Sequence, residues 1–309
     1  MLSPYRDPYF AERSRKPQQR PYVTTASPPL IGSLDTWLMD IRPAPGLTGI
    51  RRFAVEFLFF GLKEARACLF AGLFFVSIFI VPREGVLGLP RYDVLLVIAL
   101  SIQFSMIRLG LETWDEFRAI CLFHIVGFAL EVFKTSGAIQ SWSYPDFAYT
   151  KLFGVPMFSG FMYAAVGSYI IQAWRILQVR ILHHPPYWMA ALVALLIYAN
   201  FFTHHFIGDY RWYIAALAIG LYARSTVVFR PYDRDRKMPM LLAFILIGFF
   251  IWLAENISTF FAVWQYPDQI GAWSTVHLGK WSSWTLLVIM TFTIVVSLKH
   301  IRESIHIPR

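Results

Sequence analysis

Two glutamates inside strongly apolar segments are the residues best suited to carry chemistry. Glu131 lies in GFALEVFKTSGAIQSWSYPD, residues 127–146, and Glu255 lies in IWLAENISTFFAVWQYPD, residues 251–268. An ionisable group surrounded by hydrocarbon costs on the order of 2.5–3.5 kcal/mol, so each side chain should face a protein interior or a wet cavity. Burial there favours the neutral acid, which can donate a proton, and both glutamates are therefore predicted to be catalytic. The structural alternative is that Glu131 pairs with Lys134 and that Glu255 hydrogen-bonds to polar neighbours.

A histidine precedes the first glutamate at helical spacing. His124 lies seven residues before Glu131, which is two helical turns and places both side chains on one face. We therefore predict His124 as a third catalytic residue, with ordinary packing inside a helix as the alternative.

A W-x-Y-P-D motif follows each glutamate. It supplies six predicted substrate-binding residues: Trp142, Tyr144, Asp146, Trp264, Tyr266 and Asp268. Aromatic faces attract a cation, whether it is bound or develops during a reaction, and the aspartates can orient the rings or cap a helix. The alternative is that the aromatic residues anchor helix ends at a membrane surface.

The two glutamate-containing segments indicate an internal repeat. The glutamates are 124 residues apart and the W-x-Y-P-D motifs are 122 residues apart. This offset predicts two parallel halves related by a pseudo-twofold axis along the membrane normal. Independent selection of aromatic and proline residues at a membrane surface is the alternative explanation.

Three histidines are weaker candidates for a metal site. His204 and His205 precede Asp209, and His277 lies further along the chain. Imidazole and carboxylate groups together suit several divalent ions, although this spacing is not that of the histidine-box di-iron enzymes. The sequence contains no glycine-rich nucleotide loop, nucleophile elbow or H-E-x-x-H motif, and it identifies no cofactor.

Composition favours a membrane protein. Hydrophobic residues make up 57% of the 309 residues and charged residues only 15%, against roughly 25% charged in a soluble domain. The net charge of +9 comes from basic residues in tails and loops rather than on one surface, so a nucleic-acid partner is not expected. The expected partner is the lipid bilayer.

Eight apolar runs predict an all-α, polytopic integral membrane bundle of about eight transmembrane helices, made of two parallel four-helix repeats. About 20 residues at 1.5 Å each cross a hydrocarbon layer of about 30 Å. The runs cover residues 52–81, 92–111, 116–138, 153–178, 187–206, 210–228, 238–262 and 280–298.

The expected organisation follows from these runs and from the positions of lysine and arginine. Residues 1–47 are predicted as a flexible, Pro- and Arg-rich tail, 48–182 as the first half, 183–300 as the second half and 301–309 as a short tail. Basic residues concentrate in alternate loops, which predicts that both termini are cytoplasmic.

The chain resembles an uncharacterised bacterial family of multi-pass membrane proteins, the domain of unknown function numbered 817. The resemblance covers about 250 residues and rests on FLFFGLKEARACLFAG from residue 57, on W-S-Y-P-D with F-G-V-P-M-F-S-G-F-M-Y within 142–163, and on W-Q-Y-P-D at 264–268. It implies a multi-pass location in the bacterial cytoplasmic (inner) membrane, and it implies no particular activity.

A second likeness points to polyene chemistry. The order Glu131, Gly137, Trp142-x-Tyr144 and Gly154-Val155-Pro156 is similar to carotenoid hydratases and the small membrane lycopene cyclases. The paired-glutamate motif of the cyclases is absent here. The likeness implies an isoprenoid or carotenoid-like substrate.

Two classes of function follow from these residues. The first is an intramembrane enzyme that acts on an isoprenoid or another apolar lipid by proton transfer from a carboxylic acid. The second is a proton-coupled small-solute transporter or a membrane receptor, with a scaffold subunit of a membrane complex as a third alternative. The sequence leaves the substrate and the oligomeric state open.

Overall fold

A computed structural model of the chain describes residues 35–41 and 46–298. The tail predicted at 301–309 lies outside these residues, as do residues 1–34 and 42–45 of the tail predicted at 1–47. The predicted cytoplasmic location of the two termini also falls outside the described part of the chain.

Within residues 46–298, nine α-helices follow one another. They are α1 Gly49–Ala67, α2 Leu69–Ile80, α3 Arg91–Arg108, α4 Trp114–Thr135, α5 Ser159–Ile176, α6 Tyr187–Thr203, α7 Arg211–Tyr222, α8 Met240–Phe260 and α9 Gly279–Val295. A single 3₁₀ turn, Pro267–Gln269, precedes α9. Helix α4 begins with a capping box, in which Thr113 and Glu116 satisfy each other's backbone N–H groups.

Two small antiparallel sheets connect the helices. Strands β1 Lys151–Leu152 and β2 Val155–Pro156 form a hairpin, whose two-residue loop has positive φ at both positions, as such tight turns require. Strands β3 Arg180–Leu182, β4 Thr226–Phe229 and β5 Arg236–Pro239 form the second sheet, in the order β3-β4-β5. Because β3 pairs with β4, this sheet joins the segments before and after residue 183.

The prediction of an all-α bundle of eight transmembrane helices in two four-helix repeats is wrong. Within the described residues, only α8 is long and apolar enough to cross a membrane, as judged by length and composition, and α2 and α6 are shorter apolar helices. Between residues 46 and 298, five helices precede residue 183 and four follow it, and two sheets interrupt them.

The difference arises because total hydropathy does not show where a helix ends. The run 52–81 divides at Cys68 into two helices, and the first of them, α1, carries six charged residues, which a sum of hydropathy over the whole run does not reveal. The run 210–228 yields only the 12-residue α7, since Thr226–Phe229 is a strand. The β-branched residues of that segment favour a strand over another helical turn.

Four helices position the candidate site, and glycines allow two pairs of them to approach closely. Helix α4 packs along α5, and α8 packs along α9. A Cβ atom on Gly127 in α4 would lie 2.3 Å from Cγ of Tyr163 in α5. A Cβ atom on Gly248 in α8 would lie 2.8 Å from the backbone nitrogen of Thr285 in α9. Side chains at these positions would separate the helices.

We predict that Gly248→Ala destabilises the protein by about 1–3 kcal/mol, because the added methyl group meets backbone atoms that cannot rotate away. Gly220→Ala is the matched control, since a Cβ atom on Gly220 in α7 has no neighbour within 4 Å. Thermal unfolding of the purified protein should show a lowered midpoint for the first variant and an unchanged or raised midpoint for the second. Equal midpoints would contradict the close approach of α8 and α9.

Candidate functional site

A cavity of about 930 Å³ lies between the helices and follows one face of α8. The residues of α8 that line it recur every three or four positions and include Met240, Phe244, Ile247, Ile251, Ala254 and Ser258. These positions span 18 residues, or about 27 Å at roughly 1.5 Å per residue. The cavity is therefore elongated, and its volume lies in the range of roughly 300–1,000 Å³ that is typical of small-molecule sites.

Most of the charged groups that line the cavity gather where α4, α8 and α9 approach one another. Glu131 and Lys134 come from α4, Glu255 from the last two turns of α8, and Lys280 from the first turn of α9. The rest of the wall is largely aliphatic and aromatic. The cavity thus has one end rich in ionisable groups and a long, largely apolar body, in which Glu64 of α1 is a further ionisable residue beside Tyr169.

Glu131 is 2% exposed and accepts three hydrogen bonds. Its Oε2 accepts from Nε1 of Trp142 and from the hydroxyl of Tyr144, each at 2.8 Å. Its Oε1 accepts from the hydroxyl of Tyr163 at 2.7 Å. Two of these donors belong to the first W-x-Y-P-D motif, and the third comes from α5.

Glu255 is 4% exposed and has a similar environment. Its Oε1 accepts from the hydroxyl of Tyr266 at 2.5 Å, and its Oε2 accepts from Nε1 of Trp284 at 2.7 Å. Tyr266 belongs to the second W-x-Y-P-D motif and Trp284 to α9.

The two carboxyl groups share one chemical arrangement. In each, an indole N–H holds one oxygen, and an indole can only donate. The other oxygen faces a tyrosine hydroxyl, which can either donate or accept. A proton on Glu131 or Glu255 is therefore best placed on Oε1, where it would be donated to the tyrosine hydroxyl.

The two motifs contact each other directly. Ser143 and Gln265 exchange two backbone hydrogen bonds of 2.9 Å, which joins the loops as an isolated β-bridge. The rings of Trp142 and Tyr266 meet edge to face with centroids 6.0 Å apart. Tyr163, a donor to Glu131, and Trp284, a donor to Glu255, have ring centroids 6.3 Å apart, so the two carboxyl groups belong to one site.

Lys280 lies against the aromatic faces of this site. Its ammonium group is 4.6 Å from the ring centroid of Tyr266 and 5.3 Å from that of Trp142. Both rings thus attract a positive charge inside the cavity.

The remaining residues of the two motifs lie in different surroundings. Trp264 is buried, lines the cavity and interacts with Tyr266. Asp146 faces Arg83 at 3.6 Å, and Asp268 is exposed in the 3₁₀ turn. Neither aspartate lines the cavity.

His124 does not reach the carboxyl groups. Its ring packs against Phe161 with centroids 4.6 Å apart, close to Gly160, and it does not line the cavity. The structure therefore places it in the α4–α5 interface.

The histidines considered for metal binding have other contacts. Nε2 of His204 and Nε2 of His205 lie 3.2 Å and 2.7 Å from Nζ of Lys134, and the ring of His277 accepts from the amide of Gly279. Burial, followed by the charge of Lys134, lowers the pKa of His205 to about 4, so its ring is neutral at neutral pH. Among the described residues, no group of three or more His, Cys, Asp or Glu side chains is arranged to hold a metal ion.

Three residues of the site were not predicted from the sequence: Tyr163, Trp284 and Lys280. A signal existed for the first two, since Tyr163 lies 19 residues after Tyr144 and Trp284 lies 18 residues after Tyr266. The pairing of Glu131 with Lys134, considered as the structural alternative, is absent, because Lys134 contacts the two histidines instead.

Comparison with known proteins identifies relatives but no activity. The family model described as "Protein of unknown function (DUF817)" matches residues 56–292. The chain is 50% identical over 249 residues to "Uncharacterized protein YoaT" of Bacillus subtilis (strain 168), a match that covers 81% of this chain and 94% of that protein. No solved structure matches the chain.

We predict that Tyr266→Phe destabilises the protein by about 1–2 kcal/mol, because Glu255 would keep only one donor in a buried environment. Tyr149→Phe is the control, as Tyr149 is 74% exposed. Thermal or denaturant unfolding of both variants measures the difference. If the two variants unfolded alike, the hydroxyl of Tyr266 would not be supporting a buried carboxyl group.

Proposed function

Because the chain belongs to the DUF817 family, whose function is unknown, we propose a function from its site: a bacterial membrane enzyme that transfers protons to and from an elongated apolar lipid. An isoprenoid or carotenoid-like chain is the substrate class that this chemistry suits best. The proposal is carried by the paired carboxyl groups at one end of an apolar cavity about 27 Å long.

The chemistry uses one glutamate as the acid and the other as the base. A proton leaves Oε1 of the acid and forms a C–H bond with one carbon of a substrate double bond, leaving a cation on the neighbouring carbon. The indole and tyrosine donors stabilise the carboxylate that remains. The second carboxylate then removes a proton from a carbon beside the cation, so the overall reaction moves a double bond or closes a ring without any other reactant.

The aromatic faces support the cationic step. Trp142 and Tyr266 already hold the ammonium group of Lys280 at cation–π distance. A carbocation that took the place of this ammonium group beside the rings would experience the same attraction.

Exposed apolar side chains support a membrane location. They cover the outward faces of α3, α6 and α8, and include Val97, Leu100, Phe104, Leu192, Leu195, Ile245 and Leu253. Exposed apolar surface on this scale marks a contact with lipid or with another protein. We assign it to the lipid of the bacterial cytoplasmic membrane, with α8 as the segment that crosses it.

Orientation in the membrane follows from the basic second sheet. Arg180, Arg230, Arg234, Arg236 and Lys237 lie on or between its strands, at the end of the fold where α8 begins. Because short cytoplasmic segments of membrane proteins are rich in lysine and arginine, the proposal places this sheet on the cytoplasmic side.

The catalytic proposal predicts that Glu255→Gln abolishes product formation while the protein remains folded. Lipids that copurify with the wild type in mild detergent would be identified by mass spectrometry and then supplied to each variant. Glu112→Gln is the matched control, since Glu112 is also a buried, hydrogen-bonded glutamate but does not line the cavity. Full turnover by the Glu255→Gln variant would refute the mechanism, and pH-driven solute uptake by proteoliposomes without lipid conversion would favour a transporter.

The membrane proposal predicts that the protein stays in the pellet after alkaline carbonate extraction of cell membranes. It also predicts that Lys237→Cys, in a Cys68→Ser and Cys121→Ser background, reacts with an impermeant maleimide in inverted vesicles but not in intact spheroplasts. Release into the carbonate supernatant would contradict the location, and labelling in spheroplasts would contradict the orientation.

A further inference from the structure

Three basic side chains line the ionisable end of the cavity: Lys134, Arg211 and Lys280. They come from the end of α4 and from the first turns of α7 and α9. They are close enough for each charge to act on the others. Gathering three cations at the end of an apolar cavity costs free energy unless an anion offsets them.

The two lysines have no close anionic partner. Asp209 is 3.3 Å from Arg211 and is further held by the side chain of Asn200. Among the described residues, neither Lys134 nor Lys280 has a carboxylate oxygen within 4.0 Å. Lys134 contacts two histidine rings, and Lys280 contacts two aromatic faces.

Glu131 and Glu255 do not fully offset the positive charge of the two lysines once one of the glutamates is protonated for proton transfer. Glu131 and Glu255 act on Lys280 only at longer range, because their oxygens already accept from tyrosine and tryptophan donors. When one of them carries the proton that it transfers, the three basic side chains face the other glutamate, Asp209 and, at longer range, Asp268, and neither lysine has a carboxylate in direct contact.

We propose that Lys134 and Lys280 bind the anionic head group, a carboxylate or a phosphate, of a lipid whose apolar chain occupies the rest of the cavity. This inference rests on the proposed function and narrows its substrate from an apolar lipid to an amphipathic one. The head group lies beside Glu131 and Glu255, so the double bond that receives the proton is near the head rather than at the far end of the chain. Arg211 adds positive charge at the same end.

The test compares anionic lipids with neutral lipids of the same chain. Hexadecanoate with hexadecanol, and farnesyl phosphate with farnesol, would be titrated into the full-length protein in mild detergent, with calorimetry as the measurement. We expect at least one anion to bind about tenfold more tightly than its alcohol, as a charge-assisted hydrogen bond to an ammonium group implies. The arm that shows the preference identifies the head group as carboxylate or phosphate.

Variants connect the preference to the lysines. The Lys134→Gln, Lys280→Gln double variant should bind acid and alcohol about equally, whereas Lys134→Arg with Lys280→Arg should retain the preference. Lys237→Gln, an exposed residue of β5, is the control and should behave as the wild type. Equal binding of anion and alcohol by the wild type, or a preference that survives the double Gln change, would overturn the inference.

The outcome is separable from that of the proposed function. If Glu255→Gln abolished lipid conversion but the wild type bound anions and alcohols equally, only the inference of a head-group site would be refuted. If the wild type preferred anions but Glu255→Gln still converted the lipid fully, only the proton-transfer mechanism would be refuted.

Discussion

Burial of two carboxyl groups is the constraint on which the rest of the arrangement depends. A carboxyl group inside an apolar protein needs hydrogen-bond partners for its oxygens, because burial removes their hydrogen bonds to water. Glu131 obtains its partners from a loop and from α5, and Glu255 obtains its partners from a loop and from α9. Each glutamate therefore ties two other segments to its own helix.

The bridge between Ser143 and Gln265 turns these two arrangements into one. It brings the indole of Trp142, a donor to Glu131, against the ring of Tyr266, a donor to Glu255. A shift of either loop would weaken the support of both carboxyl groups. This mutual dependence fixes the two carboxyl groups relative to each other, and it would supply the preorganisation that the proposed proton transfer requires.

The sequence predicts the content of this site better than the fold around it. Glutamates and aromatic residues in repeated order identify Glu131, Glu255 and their tyrosines, because these polar groups stand out in apolar surroundings. Tyr163 and Trp284 were missed because their similar offsets from Tyr144 and Tyr266 acquire a meaning only when helix packing brings them to the carboxyl groups. The transmembrane prediction was wrong because total hydropathy counts residues that end a helix or form a strand as if they extended it.

The asymmetry of the cavity constrains how a ligand lies in it. Glu255 is 15 residues beyond Met240 in α8, so roughly 22 Å separates the carboxyl end from the basic sheet. Between these points, α8 lines the cavity with apolar groups alone, among them Phe244, Ile247 and Ile251. A chain that lay the other way round would place its polar group against these residues and lose its hydrogen bonds. The orientation of the proposed ligand and the proposed site of proton transfer thus depend on one distribution of polarity along α8.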